Sequence, residues 1–195
     1  MFSGIIQAQG TIKTVKKTGQ QLAITMTKPH RWQIATGESI TVDGICTTVI
    51  SVDSDVSFFY MPETVRRTTV GNWVKGTRVN LECSLRLNDM VGGHLVTGHI
   101  DATGRVKSIK KDGQAKIMMV DYPSAFSSFL VEKGSIAVNG ISLTIIDAGK
   151  TSFRVGLIPY TLSVTNLGRV KPGDWLNLEF DMIAKYVKRM LNKPS

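Results

Sequence analysis

Two side chains capable of nucleophilic chemistry, Cys46 and Ser142, stand at the same place in two copies of one short sequence. Residues 38–49 read ESITVDGICTTV and residues 134–145 read GSIAVNGISLTI. Shifting the first copy by 96 gives identities at Ser39/Ser135, Ile40/Ile136, Val42/Val138, Gly44/Gly140, Ile45/Ile141 and Thr48/Thr144. A shared scaffold that differs at its one reactive position points to two related sites with unlike tasks. A free thiol is already a few per cent ionised at neutral pH, and a basic neighbour would raise that fraction. A second asymmetry is His99. Residues 2–15 (FSGIIQAQGTIKTV) align with 96–109 (VTGHIDATGRVKSI), and His99 stands where the first copy has Ile5. A lone histidine is usually an ordinary hydrogen-bonder, but its presence in one copy alone favours a function. His94, in the stretch between the copies, reads as structural. The three histidines and two cysteines form no metal-ligand spacing, and no glycine-rich phosphate loop precedes a helix, so neither a metal nor a cofactor is expected.

The elements that must position these residues are short strands. Each copy alternates apolar and polar residues, turns at Asp43-Gly44 or Asn139-Gly140, and resumes an apolar run. Such dipeptides predict tight hairpins, because both central residues need positive φ. A third pair, 63–83 and 160–180, shares Thr64/Thr161, Thr68/Thr165, Gly71/Gly168, Gly76/Gly173, Asn80/Asn177, Leu81/Leu178 and Glu82/Glu179. Strand signals fall at 4–15, 21–27, 39–51, 56–61 and 78–85, and again at 98–109, 115–120, 135–147, 152–158 and 174–181. Many short, evenly spaced strands predict an all-β chain of two similar small antiparallel barrels, closed so that no edge is exposed. The joint falls near 86–96, where Gly92-Gly93 lie. Stretches 28–34 and 123–130 carry Pro29 and Pro123 and suit short helices. Ile183, Tyr186, Val187, Met190 and Leu191 recur at helical spacing opposite Lys185, Lys188 and Arg189, which predicts an amphipathic C-terminal helix that caps its barrel or meets partner chains.

Composition excludes several classes. The net charge of +9 over 195 residues would suit nucleic acid, but the basic residues are scattered and few aromatics are spaced to stack bases, so nucleic-acid binding is not expected. Cys46 and Cys83 make no disulfide framework, which fits a reducing cytoplasm. Met1 leads into FSGIIQ without a basic segment or long apolar core, so no signal peptide is expected, and no apolar run is long enough for a membrane span.

Met1–Ile6, Gly44–Val49, Glu63–Thr68, Gly92–Asp101 and Gly140–Thr144, in that order and spacing, closely resemble riboflavin synthase of the trimeric α-chain type. The resemblance covers both halves. It implies two tandem six-stranded antiparallel Greek-key barrels, at 1–90 and 91–181, and a C-terminal trimerisation helix and tail at 182–195. It implies a cytoplasmic homotrimer that dismutates two molecules of 6,7-dimethyl-8-ribityllumazine by transfer of a four-carbon unit, giving riboflavin and a ribitylamino-pyrimidinedione. The site would lie between the N-terminal barrel of one subunit and the C-terminal barrel of another, and association with lumazine synthase belongs to the same expectation. The alternative is a non-catalytic lumazine- or flavin-binding protein of the same fold.

On that resemblance the catalytic residues are Cys46, Ser39, His99, Ser142 and Asp181. Cys46 and Ser39 would serve the four-carbon donor in the first barrel, and His99 would carry a proton for the other lumazine. Ser142, Thr144 and the backbone of Leu143 would hold the acceptor, with Asp181 close to Ser142 and Lys133 reaching a ribityl hydroxyl. Phe2 would lie over the first ring or close its pocket, and Gly4, Ile5, Ile6, Thr47 and Thr48 would also bind substrate. Gly98 and Ile100 flank His99. Strand edges at Phe59, Tyr60, Met61, Pro62, Glu63 and Thr64, and at Leu157, Ile158, Pro159, Tyr160, Thr161 and Leu162, would read the pyrimidine face. The chain departs from the family at Asp43, Thr47 and Tyr160.

Overall fold

The computed structural model describes residues 1–191; residues 192–195, the end of the expected C-terminal segment, lie outside the described residues. The first half holds β1 (Ala8–Thr18), β2 (Gln21–Thr27), β3 (Ser39–Val42), β4 (Ile45–Val52), β5 (Asp55–Tyr60) and β6 (Arg78–Cys83). The second holds β7 (Ala102–Asp112), β8 (Ala115–Asp121), β9 (Ser135–Val138), β10 (Ile141–Ala148), β11 (Ser152–Leu157) and β12 (Trp175–Phe180). Each set closes into an antiparallel barrel with the same neighbour order, β1-β2-β5-β4-β3-β6 and β7-β8-β11-β10-β9-β12. Closure is possible because β1 and β7 each serve two neighbours. Ala8–Thr11 pair with β6 and Ile12–Thr18 with β2, with a bulge between Ile12 and Thr14 where the strand bends. The matching irregularity in β7 lies between Val106 and Ser108.

Alternation decides what faces inward. In β4, Ile45, Thr47 and Val49 are buried while Cys46 is half-buried and Thr48 exposed; in β10, Ile141, Leu143 and Ile145 are buried while Ser142 is half-buried and Thr144 exposed. The reactive position is therefore on the outer face of each barrel, and the apolar residues beside it fill two separate cores. The hairpins behave as their dipeptides predict: Asp43 and Gly44 have φ of 48° and 79°, and Asn139 and Gly140 have 46° and 78°. These two turns meet back to back. A Cβ on Gly44 would lie 2.6 Å from the nitrogen of Gly140, so glycine is required there for the close approach as well as for φ.

Around this meeting point the seam between the barrels is polar and fully paired across the repeat. The Asn80 side chain donates to the Asn139 carbonyl at 3.0 Å and accepts from the Asn166 amide at 2.8 Å. Its counterpart Asn177 donates to the Asp43 carbonyl at 2.9 Å and accepts from the Thr69 amide at 2.8 Å. A cleft of about 530 Å³ opens onto this seam between Asp43, Arg78, Asn166 and Arg169; neither Cys46 nor Ser142 lines it.

The chain departs from expectation in its helices. Residues 28–34 form a turn, not a helix, because Arg31 takes a φ of 70° that no right-handed helix accommodates. Residues 124–129 form a 3₁₀ turn. Two helices appear where strand edges were expected: α1 (Pro62–Arg67) and α2 (Pro159–Val164), each started by a proline at its first position. Thr68 and Thr165, at their ends, each donate to the carbonyl four residues back at 2.7 Å and accept from an amide of the following 3₁₀ turn. A third helix, α3 (Met182–Leu191), follows β12. Asp181 caps it by accepting from the Ile183 amide at 2.9 Å, and Lys185 ties it to Asp101 at 2.5 Å.

Candidate active site

Two extended segments cross between the barrels and build the site. Phe2 pairs with Val96, each amide donating to the other's carbonyl at 2.8 and 3.0 Å. From this bridge each segment runs onto the barrel of the opposite half. The amide of Cys46 donates to the carbonyl of Gly98 at 2.8 Å, and the amide of Ser142 donates to the carbonyl of Gly4 at 2.8 Å. Gly4 and Gly98 have φ of 77° and 81°, and a Cβ on either would lie 2.6 Å from the Ser142 Cβ or 2.5 Å from the Cys46 Cβ. The repeat therefore places a backbone roof directly on each reactive residue.

Each roof is held by one buried glutamate. Glu82 accepts from the amide and hydroxyl of Ser3, both at 2.7 Å, and from the Gly4 amide at 3.1 Å. Glu179 accepts from the amide and hydroxyl of Thr97, at 2.7 and 2.6 Å, and from the Gly98 amide at 2.8 Å. Burial raises the pKa of both carboxyls, and these hydrogen bonds pull them back. Hydrogen bonds to a carboxylate stabilise by about 1.5–3 kcal/mol each, so three converging on one group make a firm anchor. The Glu82/Glu179 identity was visible in the repeat, but an acid inside an apolar strand pattern did not by itself disclose this task.

The Cys46 hollow has a volume of about 210 Å³ and is lined by Cys46, Glu63, Thr64, Arg67, Gly98, His99 and Ile100, among others. His99, expected to serve the other lumazine from Cys46, lines the same hollow as Cys46, because the segment carrying it crosses onto the first barrel. Its counterpart Ile5 correspondingly follows the Gly4 roof of Ser142. Burial pushes the Cys46 thiol up, the positive chain terminus and the Ser39 hydroxyl pull it down less, and Glu179 adds to the rise. The thiol is therefore neutral at pH 7, a hydrogen-bond donor rather than a standing thiolate. Phe2 is wholly buried with Val96 and Ala137 against Cys46, so its ring is a floor behind the thiol and offers no face to a ligand.

The remaining expected residues separate into two groups. Thr47 and Tyr60 point into the first barrel, where Thr47 hydrogen-bonds the Ile45 carbonyl and the Tyr60 hydroxyl, and Leu143 and Leu157 point into the second. Their side chains are core. Thr48, Phe59, Met61, Thr144, Ile158, Pro159 and Tyr160 are exposed, as is Lys133, whose amide donates to the Ile145 carbonyl. Pro62, Thr64, Thr161 and Leu162 are half-buried in α1 and α2, Leu162 against the second core; Glu63, exposed, pairs with Arg66 and Arg67. Ile6 is half-buried against the second core, whereas Ile100 packs on the first, another consequence of the crossing.

Beside Ser142 stands a residue that reads as structural in the sequence. His94 Nδ1 lies 2.7 Å from the Ser142 hydroxyl oxygen. Burial lowers the pKa of the half-buried ring, and the Asp181 carboxylate raises it less, so the ring is neutral at pH 7. His94 thus bonds Ser142 and feels the charge of Asp181, and the three come from separated parts of the sequence.

The lumazine-binding domain family matches this chain twice, at residues 3–84 and 97–181, the two barrels with their crossing segments. Riboflavin synthase of Actinobacillus pleuropneumoniae is 38% identical over 100% of this chain and 92% of its own length. Riboflavin synthase of Bacillus amyloliquefaciens is 39% identical over 99% of this chain and 91% of its own. This chain belongs to the riboflavin synthase family. Among solved structures, LumP complexed with riboflavin superposes with a TM-score of 0.85 at 26% identity, covering 92% of this chain and 99% of LumP. LumP complexed with 6,7-dimethyl-8-(1'-D-ribityl) lumazine gives 0.83 at 25%, covering 92% and 98%.

Proposed function

We infer that this chain is a riboflavin synthase, dismutating two molecules of 6,7-dimethyl-8-ribityllumazine into riboflavin and 5-amino-6-(D-ribitylamino)uracil. The observation that carries the reading is the pair of roofed positions, alike in backbone and unlike at Cys46 and Ser142. A reaction between two identical molecules in which one gives and one receives four carbons needs similar recognition with different chemistry. The reaction balances in itself: every carbon and proton lost by the donor is gained by the acceptor. The donor's four-carbon unit forms its new bonds to the acceptor's methyl carbons, and the amino groups it leaves remain on the pyrimidine product.

In this reading Cys46, Ser39 and His99 handle the donor and Ser142 with Asp181 the acceptor, while Gly4, Gly98 and the outward residues of α1 and α2 supply contacts to the rings. Proton transfer at the acidic 7-methyl group requires a positioned base and a hydrogen-bonded anion site, and alignment of the two rings supplies several kcal/mol. The non-catalytic alternative is less well supported: the curated synthases are 38–39% identical to this chain, LumP 25–26%.

A homotrimer is part of the proposal. Ile183, Tyr186, Val187 and Met190 leave an exposed apolar stripe on α3, beside a groove of about 460 Å³ that includes Phe129, Val131 and Leu191. Partner copies would cover that stripe, and in the proposed trimer Cys46 of one subunit faces Ser142 of another. A cytoplasmic location agrees with two unpaired cysteines, and no described helix is long and apolar enough to cross a membrane. Association with lumazine synthase, which would deliver the substrate, is tested by co-sedimentation. The test of the activity is incubation with 6,7-dimethyl-8-ribityllumazine alone while flavin fluorescence is followed. Riboflavin and the pyrimidinedione should appear in equal amounts; binding without turnover would establish the carrier instead.

A further inference from the structure

We propose that His94 is the positioning residue of Ser142: its Nδ1 accepts a hydrogen bond from the Ser142 hydroxyl and so fixes that oxygen as a hydrogen-bond acceptor toward the bound lumazine. This rests on the function inferred above. The geometry that carries it is a built one. The Nδ1 to Oγ distance is 2.7 Å, and the His94 amide donates to the Ser3 carbonyl at 3.2 Å. Gly93 runs so close beneath that a Cβ there would lie 2.6 Å from the Ser142 Cβ, so the segment admits no side chain at that point. Ser3 is itself clamped by Glu82. Backbone, ring and clamp together hold the imidazole against one hydroxyl.

A serine hydroxyl has one proton to give. With the ring neutral and protonated at Nε2, that proton goes to Nδ1, and the Ser142 lone pairs remain for the ligand. A protonated ring must donate from Nδ1, which turns the Ser142 proton toward the ligand and reverses the polarity of the contact. Burial keeps the ring neutral. The charged group that bears on it is the Asp181 carboxylate, from the junction of β12 and α3; Ser3 and Gly93 present backbone. The two hollows thereby take their histidines from different points of one crossing segment, His99 for Cys46 and His94 for Ser142.

The test compares His94→Ala, His94→Asn and Ser142→Ala in the full-length protein with 6,7-dimethyl-8-ribityllumazine. Asparagine keeps an acceptor oxygen close to the place of Nδ1 but does not ionise near neutral pH. His94→Ala should lower kcat about tenfold with little change in KM, the loss of one hydrogen bond that orients a reacting group. His94→Asn should restore most of that kcat and abolish the acid limb of the pH profile. In the Ser142→Ala background, His94→Ala should change nothing further. Losses that add independently, or an acid limb retained in His94→Asn, would overturn the proposal. A second readout needs neither turnover nor a folded His94 variant. The ¹⁵N spectrum of the wild-type imidazole should show Nδ1 unprotonated, with a shift that moves in Ser142→Ala. An Nδ1–H tautomer, or a spectrum indifferent to Ser142→Ala, would refute it. Absence of riboflavin formation by wild-type protein would count against the function alone, and the spectrum would still decide the role of His94.

Discussion

The surroundings of Cys46 and Ser142 share their hairpin, their backbone roof and their glutamate clamp, and they differ in nearly every group that can move a proton. One has a half-buried neutral thiol with Ser39 and His99. The other has a hydroxyl bonded to His94 and influenced by Asp181. At the place of Asp181 the first half has Ser84, whose hydroxyl donates to the Ser39 carbonyl at 2.5 Å. Repetition has thus been kept where shape is set by backbone, and abandoned where chemistry is set by side chains. The same division appears at the seam. Asn80 and Asn177 are retained in both halves and exchange equivalent bonds, whereas Asp43 faces Asn139 as the one ionisable member of the cluster.

The largest effect should come from spoiling one roof and leaving the other. Gly98→Val would drive a side chain into Cys46 and displace His99, and misplacement by about 1 Å near reacting groups costs on the order of 100-fold in rate. Lumazine titration should then count one site per chain where the wild type has two, and Gly4→Val should remove the other. Exchange of the reactive residues is milder. Cys46→Ser should lower kcat by about tenfold, the scale of one weakened proton-handling group. The exchanged double variant, Cys46→Ser with Ser142→Cys, should not recover, because His99 and His94 remain in place. Recovery would mean that the hollows are interchangeable and the asymmetry idle.

The smallest effect concerns stability. Burial lifts the Asp43 carboxyl from 3.8 to about 8, against bonds from the Asn80 amide and the Asn166 side chain that lower it. The folded chain therefore holds a proton that the unfolded chain releases above its ordinary pKa. The contribution is favourable below about 4 and is lost as pH rises toward 8. Asp43→Asn, which copies Asn139, should remove this slope and raise Tm by a few degrees at pH 8, with no gain at pH 4 and activity unchanged. An equal gain at both pH values would show that the carboxyl was not protonated in the fold.

Much of this was legible in the sequence because periodicity reports directly on backbone. The two Asx-Gly turns, the inward alternation of β4 and β10 and the barrel pairs all follow from local patterns. Less legible were α1 and α2, whose six residues are too few to show a helical period, although Pro62 and Pro159 mark their starts. The crossing of the segments was invisible: nothing in 96–100 says that Gly98 will rest on Cys46 and not on its own barrel, or that His99 will line the same hollow as Cys46. In the sequence alone His94 reads as structural for a related reason. Its partners Ser142 and Asp181 lie 48 and 87 residues away, and spacing carries no record of contacts made only after two barrels dock.

The central claim is that donor and acceptor hollows are distinct and meet between copies of the chain. Mixing tests it directly. One chain carries Gly98→Val, spoiling only the Cys46 hollow; the other carries Gly4→Val, spoiling only the Ser142 hollow. Each alone should be nearly inactive. After subunit exchange, riboflavin formation should return, because the intact Cys46 hollow of one chain can face the intact Ser142 hollow of the other. If mixed oligomers form, as native mass spectrometry would report, and activity stays at the parental level, the two hollows do not act across copies and the account is wrong.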